Sequence, residues 1–310
     1  VFSPATLLVA LSLAKGYFEA RACLRAFRAD VVVGTGGYVA MAATLAGAHL
    51  GLPALILAPD SVPGRTNRLL ARYAKQICVV FPETVAQFPQ EKTVVTGLPV
   101  RAGIVAPPEV TPQAARCRFN PLRADAFTVL VLGGSQGAQA INRLIVEAAP
   151  ALLEAGVQVL HQAGARNIEA VQQQARDKGL QDLAGYCPIA FLDEEQMPLA
   201  LRAADVAVCR GGISTLSELM ANALPAIVVP LPSAYADHQT ANARALEKGG
   251  AALLRPENGL SASNLVADLL ALRDDPARRQ RMAQASRALG RPDAADDVAR
   301  LVLAIHPLTP

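Results

Sequence analysis

Thr128-Val129-Leu130-Val131-Leu132-Gly133-Gly134-Ser135-Gln136-Gly137 is the stretch that decides the fold. Its first five residues are aliphatic or β-branched without alternation, the pattern of a strand buried on both faces in a parallel sheet. The glycines that follow let a ligand approach the backbone. The helix expected from Ala138 to Leu153 then begins with N–H groups that no helical carbonyl can reach. A strand running through glycines into a helix makes a cradle for a phosphate or diphosphate, and Gly133, Gly134 and Gly137 are its candidate backbone residues. The plain alternative is a tight turn that needs glycine only to bend; three glycines with Ser135 and Gln136 in five residues favour binding. The spacing does not match Gly-x-Gly-x-x-Gly, and the next strand, Val157 to His161, ends in His161-Gln162 where an acidic ribose-binding residue would stand. A nicotinamide dinucleotide is therefore disfavoured.

Outward from this stretch the same alternation recurs. Downstream, a helix is expected over Ile168 to Lys178, and strands over Pro188 to Phe191, Val206 to Val208 and Ala226 to Val229, each followed by a helix; closing helices are expected near 262–272, 277–289 and 295–305. Upstream, a long helix over residues 4–28 precedes the strand Val31-Val32-Val33, which feeds Gly34-Thr35-Gly36-Gly37 and a helix from Tyr38 to His49. A strand from Ala54 to Leu57, a helix after Pro63 and short strands near Ile77 and Val94 complete this half. Alternating strands and helices imply parallel sheets. Residues 106–126 carry Pro107-Pro108, Pro112 and Pro121 among polar residues and show no period. The expected organisation is a first domain over residues 1–104, a linker over 105–126, a second domain over 127–290, and a terminal helix in 291–310 that packs back on the first domain. The first half offers about four short strands and no opening strand, so its domain is expected to be truncated.

Composition narrows the function classes. The chain has 310 residues, 52% hydrophobic and 18% charged, with a formal charge of +3. That charge is too small for a nucleic-acid partner, and no basic block interleaved with aromatics appears. Five scattered cysteines without a Cys-x-x-Cys pair point to a reducing compartment, and four dispersed histidines point away from a transition-metal site. No metal and no cofactor are expected. The uncharged run between Asp30 and Asp60 is long enough to ask about a membrane span, which needs about 20 apolar residues. Gly34, Gly36, Gly37, Gly47, Gly51 and Pro53 cut it into shorter elements, so no span is expected. No signal peptide is expected, and the start at Val1 suggests that residues precede it.

Two more clusters carry polar chemistry at strand exits. Cys209-Arg210-Gly211-Gly212-Ile213-Ser214-Thr215-Leu216-Ser217-Glu218 repeats the strand-glycine-helix logic. Thr215 and Glu218 have capping-box spacing, so Glu218 either returns a hydrogen bond to the helix start or accepts the two hydroxyls of a ribose. Asp237-His238-Gln239-Thr240-Ala241-Asn242 follows Val229-Pro230 and is rich in groups that hydrogen-bond sugar hydroxyls. Its alternative is an Asp237 cap on a solvated helix.

Seven segments in order resemble the MurG family, bacterial transferases that add GlcNAc from UDP-GlcNAc to undecaprenyl-pyrophosphoryl-MurNAc-pentapeptide, lipid I. They are Asp30 to Tyr38, Gly64-Arg65-Thr66-Asn67, Gly97-Leu98-Pro99-Val100-Arg101, Gly133 to Gly137, His161-Gln162-Ala163-Gly164, Arg210 to Glu218, and Asp237 to Asn242. The resemblance implies an α/β protein of GT-B fold: two Rossmann-like doubly wound parallel-sheet domains, an amino-terminal one for the acceptor and a carboxy-terminal one for UDP-GlcNAc, with a cleft between them. It implies an inverting hexosyl transfer that yields lipid II for peptidoglycan synthesis, at the cytoplasmic face of the plasma membrane, to which the protein binds peripherally. Ser135 and Arg101 would meet the diphosphate, the Leu192 backbone the uracil, and Glu218 the ribose. The backbone of Ile213 and Ser214, with His238, Gln239 and Asn242, would meet the diphosphate and GlcNAc; Gln136 joins this donor set. Gly36, Gly37 and Tyr38 would line the acceptor side.

The family also implies a strand and a Gly-Gly-Thr-Gly-Gly-His loop ahead of Val1. Where it carries His-Glu-Gln-Asn, this chain has Leu57-Ala58-Pro59-Asp60, leaving Asp60 as the carboxylate for a general base, a GlcNAc contact or a turn. In the long first helix, Leu8, Leu11, Leu13, Phe18, Leu24 and Phe27 stand beside Lys15, Arg21, Arg25 and Arg28, a composition that suits either an anionic membrane surface or packing on the helix's own sheet. Two alternatives share the implied fold: a UDP-sugar epimerase, which needs acid and base carboxylates and is disfavoured by Ala58-Pro59, and a UDP-sugar-binding protein that has lost its chemistry.

Overall fold

Two α/β units make up the chain in a computed structural model that describes residues 4–134, 137–180 and 184–306, apart from the side chains of 4–10 and 38. The first unit comprises residues 1–99 and 292–310, the second residues 100–291.

In the first unit, α1 (Pro4–Phe27) leads to β1 (Val32–Gly34), α2 (Gly37–His49), β2 (Ala54–Ala58), α3 (Arg65–Leu70), β3 (Gln76–Val79) and β4 (Thr93–Val95). The four strands are parallel in the order β1-β2-β3-β4. β2 reads Ala-Leu-Ile-Leu-Ala and every residue of it is buried, as a central strand covered on both faces requires. One face packs Ile56, Ala58, Ile77 and Val79 against Leu70 and Phe88. The other packs Leu55, Leu57 and Cys78 against Val298, Leu301 and Ile305 of the last helix.

The second unit begins with α4 (Pro112–Arg116) and continues β5 (Thr128–Leu132), α5 (Gln139–Glu154), β6 (Gln158–Gln162), α6 (Ile168–Asp177), β7 (Tyr186–Ile189), α7 (Gln196–Ala203), β8 (Val206–Cys209), α8 (Ile213–Ala221), β9 (Ala226–Val228), α9 (His238–Lys248), β10 (Ala252–Leu254), α10 (Ala262–Asp274) and α11 (Pro276–Leu289); α12 (Ala294–Ile305) returns to the first unit. Its parallel strands run β10-β9-β8-β5-β6-β7. The order reverses between β5 and β8, because successive crossovers from β5 wind one way through β6 and β7 and the other way from β8 to β10. At such a switch point the loops that leave the two strands diverge and leave a crevice over their carboxyl ends. One face of this sheet carries the core cluster, in which Ile141, Ile145, Ala149 and Leu152 of α5 pack with Val129, Val131, Val159, Val206, Val208 and Leu269.

Three local expectations change. The strand expected over 188–191 lies at 186–189, since β7 pairs with β6 in the register Leu160↔Cys187 and His161↔Pro188; Pro188 is tolerated because β7 is an edge strand. β10 was not foreseen, being only three residues beside an Arg-Pro pair. Residues 105–126, expected as a linker, pack into the second unit. There Thr111 caps α4 by accepting from the Ala114 N–H, and the buried Arg116 guanidinium donates to the carbonyls of Ala203 (2.9 Å) and Ala124 (2.9 Å) and to Asp205 Oδ2 (2.8 Å). Asp205 Oδ2 also accepts the Thr128 N–H, and Gln158 exchanges hydrogen bonds with both backbone groups of Arg123. The segment looked loose because its fixings are single polar side chains with distant partners.

This brace yields a stability prediction. Arg116→Ala strands two carbonyls and a carboxylate, and should cost about 3 kcal/mol in urea unfolding at neutral pH. A loss below about 1 kcal/mol, the range of an exposed ion pair, would contradict the bracing.

Candidate functional site

The switch point places two glycine turns side by side at the carboxyl edge of the second sheet. β5 exits through Gly133-Gly134 and re-enters α5 through Gly137. Gly134 and Gly137 have φ of +77° and +74°, a region that favours glycine. A Cβ on Gly137 would collide with the Ala163 carbonyl oxygen at the end of β6, and one on Gly133 would meet the Ala138 N–H. β8 exits through Gly211-Gly212. A Cβ on Gly211 would strike the Gln239 carbonyl, so only glycine lets this turn lie against α9. Neither α5 nor α8 has a side-chain cap among the described residues; their first N–H groups stay open at the crevice. Thr111, Ser261 and Asp275 cap α4, α10 and α11, whereas α6, α7, α9 and α12 also lack a side-chain cap among the described residues. Ser135 and Gln136, expected on the donor, lie outside the described residues.

The second turn is held by side chains that were expected to touch ligand. Gln239 Oε1 accepts the N–H groups of Gly211 (3.2 Å) and Leu231 (3.0 Å), tying together the loops after β8 and β9. Its Nε2 donates to nothing among the described residues and remains available. Asn242 is fully buried and its Nδ2 donates to the Gly211 carbonyl at 3.2 Å. His238 Nδ1 lies 2.6 Å from the Tyr235 carbonyl; since a carbonyl can only accept, Nδ1 carries a proton, and Nε2 accepts whenever the ring is neutral. Asp237 sits at the N-cap of α9 with φ of +54° but makes no side-chain cap. Arg210, not foreseen as a site residue, donates to the carbonyls of Val229 and Pro230 and pairs with Glu257 at 2.5 Å, bridging three loops on this edge.

The capping-box alternative for Glu218 fails. α8 starts at Ile213 with Gly212 as N-cap, so Thr215 lies inside the helix and cannot cap it. Ile213 and Ser214 provide its first two backbone N–H groups. The Glu218 carboxylate instead accepts from Arg101 Nη2 at 3.1 Å and Nε at 3.3 Å. Burial raises its pKa, and the charge and hydrogen bond of Arg101 only partly pull it back. A cavity of about 270 Å³ lies beside this pair, lined by Arg101, Ala102, Ile104, Glu194 and Pro198. Leu192 follows β7 with its side chain buried, and among the described residues its backbone N–H and C=O have no partner.

On the first unit, Gly36 and Gly37 have φ of +92° and +78° at the start of α2, which also lacks a side-chain cap. The Tyr38 side chain lies outside the described residues. Asp60 is half-buried just past β2. Asn67, within a segment quoted from the sequence but given no role there, is buried beside Gly36; its Nδ2 donates to the Leu57 carbonyl and its Oδ1 has no partner among the described residues. A buried acceptor without a partner marks a place where a ligand or water donates. In α1, Leu13 and Leu24 are partly covered, whereas Leu11, Phe18 and Phe27 are 58%, 67% and 81% exposed; the Leu8 side chain is outside the described residues. No helix among the described residues is long and apolar enough to cross a membrane.

The chain is similar to known proteins along nearly its whole length. Residues 128–298 match the glycosyltransferase family 28 C-terminal domain and residues 1–79 its N-terminal domain. A relative from Nitratidesulfovibrio vulgaris, a UDP-N-acetylglucosamine--N-acetylmuramyl-(pentapeptide) pyrophosphoryl-undecaprenol N-acetylglucosamine transferase, is 40% identical over 97% of this chain and 79% of its own length. A transferase of the same name from Salinibacter ruber is 41% identical over 96% of this chain and 78% of its own. The crystal structure of Acinetobacter baumannii MurG superposes with a TM-score of 0.74 at 31% identity, covering 95% of this chain and 79% of that one. A UDP-GlcNAc 2-epimerase from Neisseria meningitidis reaches a TM-score of 0.69 at 13% identity, over 96% of this chain and 82% of its own, a likeness of fold alone. With two matched domains and relatives this similar along nearly its whole length, the chain belongs to glycosyltransferase family 28 and, within it, to the MurG family.

Proposed function

We propose that this chain transfers GlcNAc from UDP-GlcNAc to the MurNAc of undecaprenyl-pyrophosphoryl-MurNAc-pentapeptide, making lipid II for peptidoglycan synthesis. The single observation that carries the reading is the pair of uncapped glycine turns at the switch point of a chain 40% identical to transferases of this name.

The donor is assigned to the second unit. Open N–H groups at the starts of α5 and α8 suit a diphosphate, and Arg101 adds a fixed guanidinium. Glu218, acceptor-only when ionised, suits the two ribose hydroxyls, and the unpartnered backbone of Leu192 suits the edge of a uracil. Gln239 Nε2 and His238 Nε2 offer a donor and an acceptor to the sugar. In the reaction the C4 hydroxyl oxygen of MurNAc attacks the anomeric carbon of GlcNAc from the face opposite UDP. The new C–O bond inverts that centre, the bond to the β-phosphate breaks, and its electron pair leaves on UDP. Charge building on the phosphate is what the helix starts and Arg101 stabilise. The hydroxyl proton passes to a base, for which Asp60 is our candidate.

The acceptor is assigned to the first unit, with Gly36, Gly37 and Tyr38 on its side. Peripheral binding to the inner face of the plasma membrane is part of the proposal. Leu11, Phe18 and Phe27, exposed on α1 among Lys15, Arg21, Arg25 and Arg28, support it, since apolar insertion and basic charge add up on anionic lipid.

Incubating the protein in its natural full length with UDP-GlcNAc and a lipid I analogue should release UDP only when the acceptor is present. Epimerised sugar without release, or UDP binding with neither outcome, would overturn the reading. Glu218→Gln separates function from stability. A carboxyl whose folded pKa is raised contributes stability that is present below its unfolded value and lost as pH rises through the folded one, so ionising Glu218 in the folded protein is a net cost. Glu218→Gln should therefore melt no lower than the parent at pH 7, yet bind UDP roughly tenfold or more weakly, the scale of a hydrogen bond to a charged group. Unchanged UDP affinity would remove Glu218 from the donor site.

A further inference from the structure

β6 buries a histidine that the transfer chemistry does not use. His161 is completely shielded, with Nδ1 2.9 Å from the Tyr186 hydroxyl and Nε2 3.1 Å from Asn142 Oδ1. Asn142 Nδ2 in turn donates to the Ala163 carbonyl at 2.9 Å. The acceptor-only carbonyl at this end fixes every proton along the line. Asn142 must turn its Nδ2 to Ala163, so its Oδ1 faces His161; Nε2 therefore carries the ring hydrogen, and Nδ1 accepts from the Tyr186 hydroxyl. Burial lowers the His161 pKa to about 3, so the ring stays neutral and keeps this one tautomer at physiological pH.

The line ends where the phosphate loop rests. Ala163 O is the atom that a Cβ on Gly137 would strike, so the turn sits directly on this carbonyl. Asn142 also closes the first turn of α5, its N–H bonding the Ala138 carbonyl at 2.8 Å. One hydrogen-bonded line thus fixes both the start of α5 and the carbonyl beneath Gly137.

We propose that His161 is a positioning residue for diphosphate recognition: by orienting Asn142 it sets Gly137 and the α5 start against the end of β6. The inference rests on the donor assignment above. It commits the line to the diphosphate and not to the uridine, whose assigned partners, Leu192 and Glu218, make no hydrogen bond to His161, Asn142 or Tyr186 among the described residues.

The test compares uridine and UDP affinities, by ligand-observed NMR and calorimetry, in the parent, His161→Phe, His161→Gln and Asn142→Asp, with melting temperatures as a control. His161→Phe keeps the ring volume but cannot donate to Asn142. Asn142→Asp keeps the shape but turns an acceptor toward Ala163. Each should weaken UDP binding roughly tenfold, the scale of one buried hydrogen bond, while leaving uridine affinity within about twofold. His161→Gln, whose amide nitrogen reaches the place of Nε2, should restore most of the UDP affinity. A parallel fall for uridine and UDP, or an unchanged ratio in a parent that binds UDP, would overturn the positioning role and leave the donor assignment standing; a parent that does not bind UDP would overturn both. Should His161→Phe fail to fold, Asn142→Asp and the ¹⁵N spectrum of the parent ring decide: an Nε2–H tautomer is expected, and an Nδ1–H tautomer contradicts the line.

Discussion

The reversal of strand order between β5 and β8 is the constraint on which the rest of the second unit depends. Both strands are buried along their full length, so their crossover helices cover the faces of the sheet and cannot also close its carboxyl edge. Where winding changes direction, the two exit loops part, and an open edge remains over strands that are otherwise shielded. A site there costs little burial, because the opening follows from topology. Two glycine turns occupy it, each required by close backbone approach.

An open edge is useful only if its loops hold their shape, and here buried and half-buried side chains bonded to backbone do so. Gln239 ties the loops after β8 and β9, Arg210 reaches three loops, Asn142 sits under the first glycine turn, and Arg116 secures the segment leading into β5. Each of these groups would be expensive to bury without its partners. Satisfied, they fix positions that loops alone would leave soft. Glu218 stands apart, since its burial costs stability and its partner Arg101 is more exposed than it is. Stability yielded at a carboxylate on an open edge fits a group kept for a ligand.

Much of this was legible in the sequence because its signals are local. The apolar run Val129 to Leu132 with its glycines placed β5 and α5 to within a residue at most boundaries, and Gly211-Gly212 marked the second turn. What stayed hidden depends on contacts between distant residues. Nothing near Arg101 announces Glu218, and nothing near His161 announces Tyr186 and Asn142. Pro and Arg in residues 105–126 read as a linker because Arg116 shows its purpose only once Ala203 and Asp205 are beside it. Short edge strands such as β10 carry too few residues for a period to appear. The Thr215 to Glu218 spacing misled for a related reason: a capping pattern has meaning only if the helix starts where the pattern puts it, and Gly212 starts it earlier.

A crystal structure of the protein with bound UDP tests the central claim most directly. The diphosphate is expected at the starts of α5 and α8, within hydrogen-bonding distance of Gly133, Gly134 or Gly137, and the ribose hydroxyls on Glu218. A nucleotide bound away from the β5–β8 switch point, or a ribose that does not reach Glu218, would contradict it.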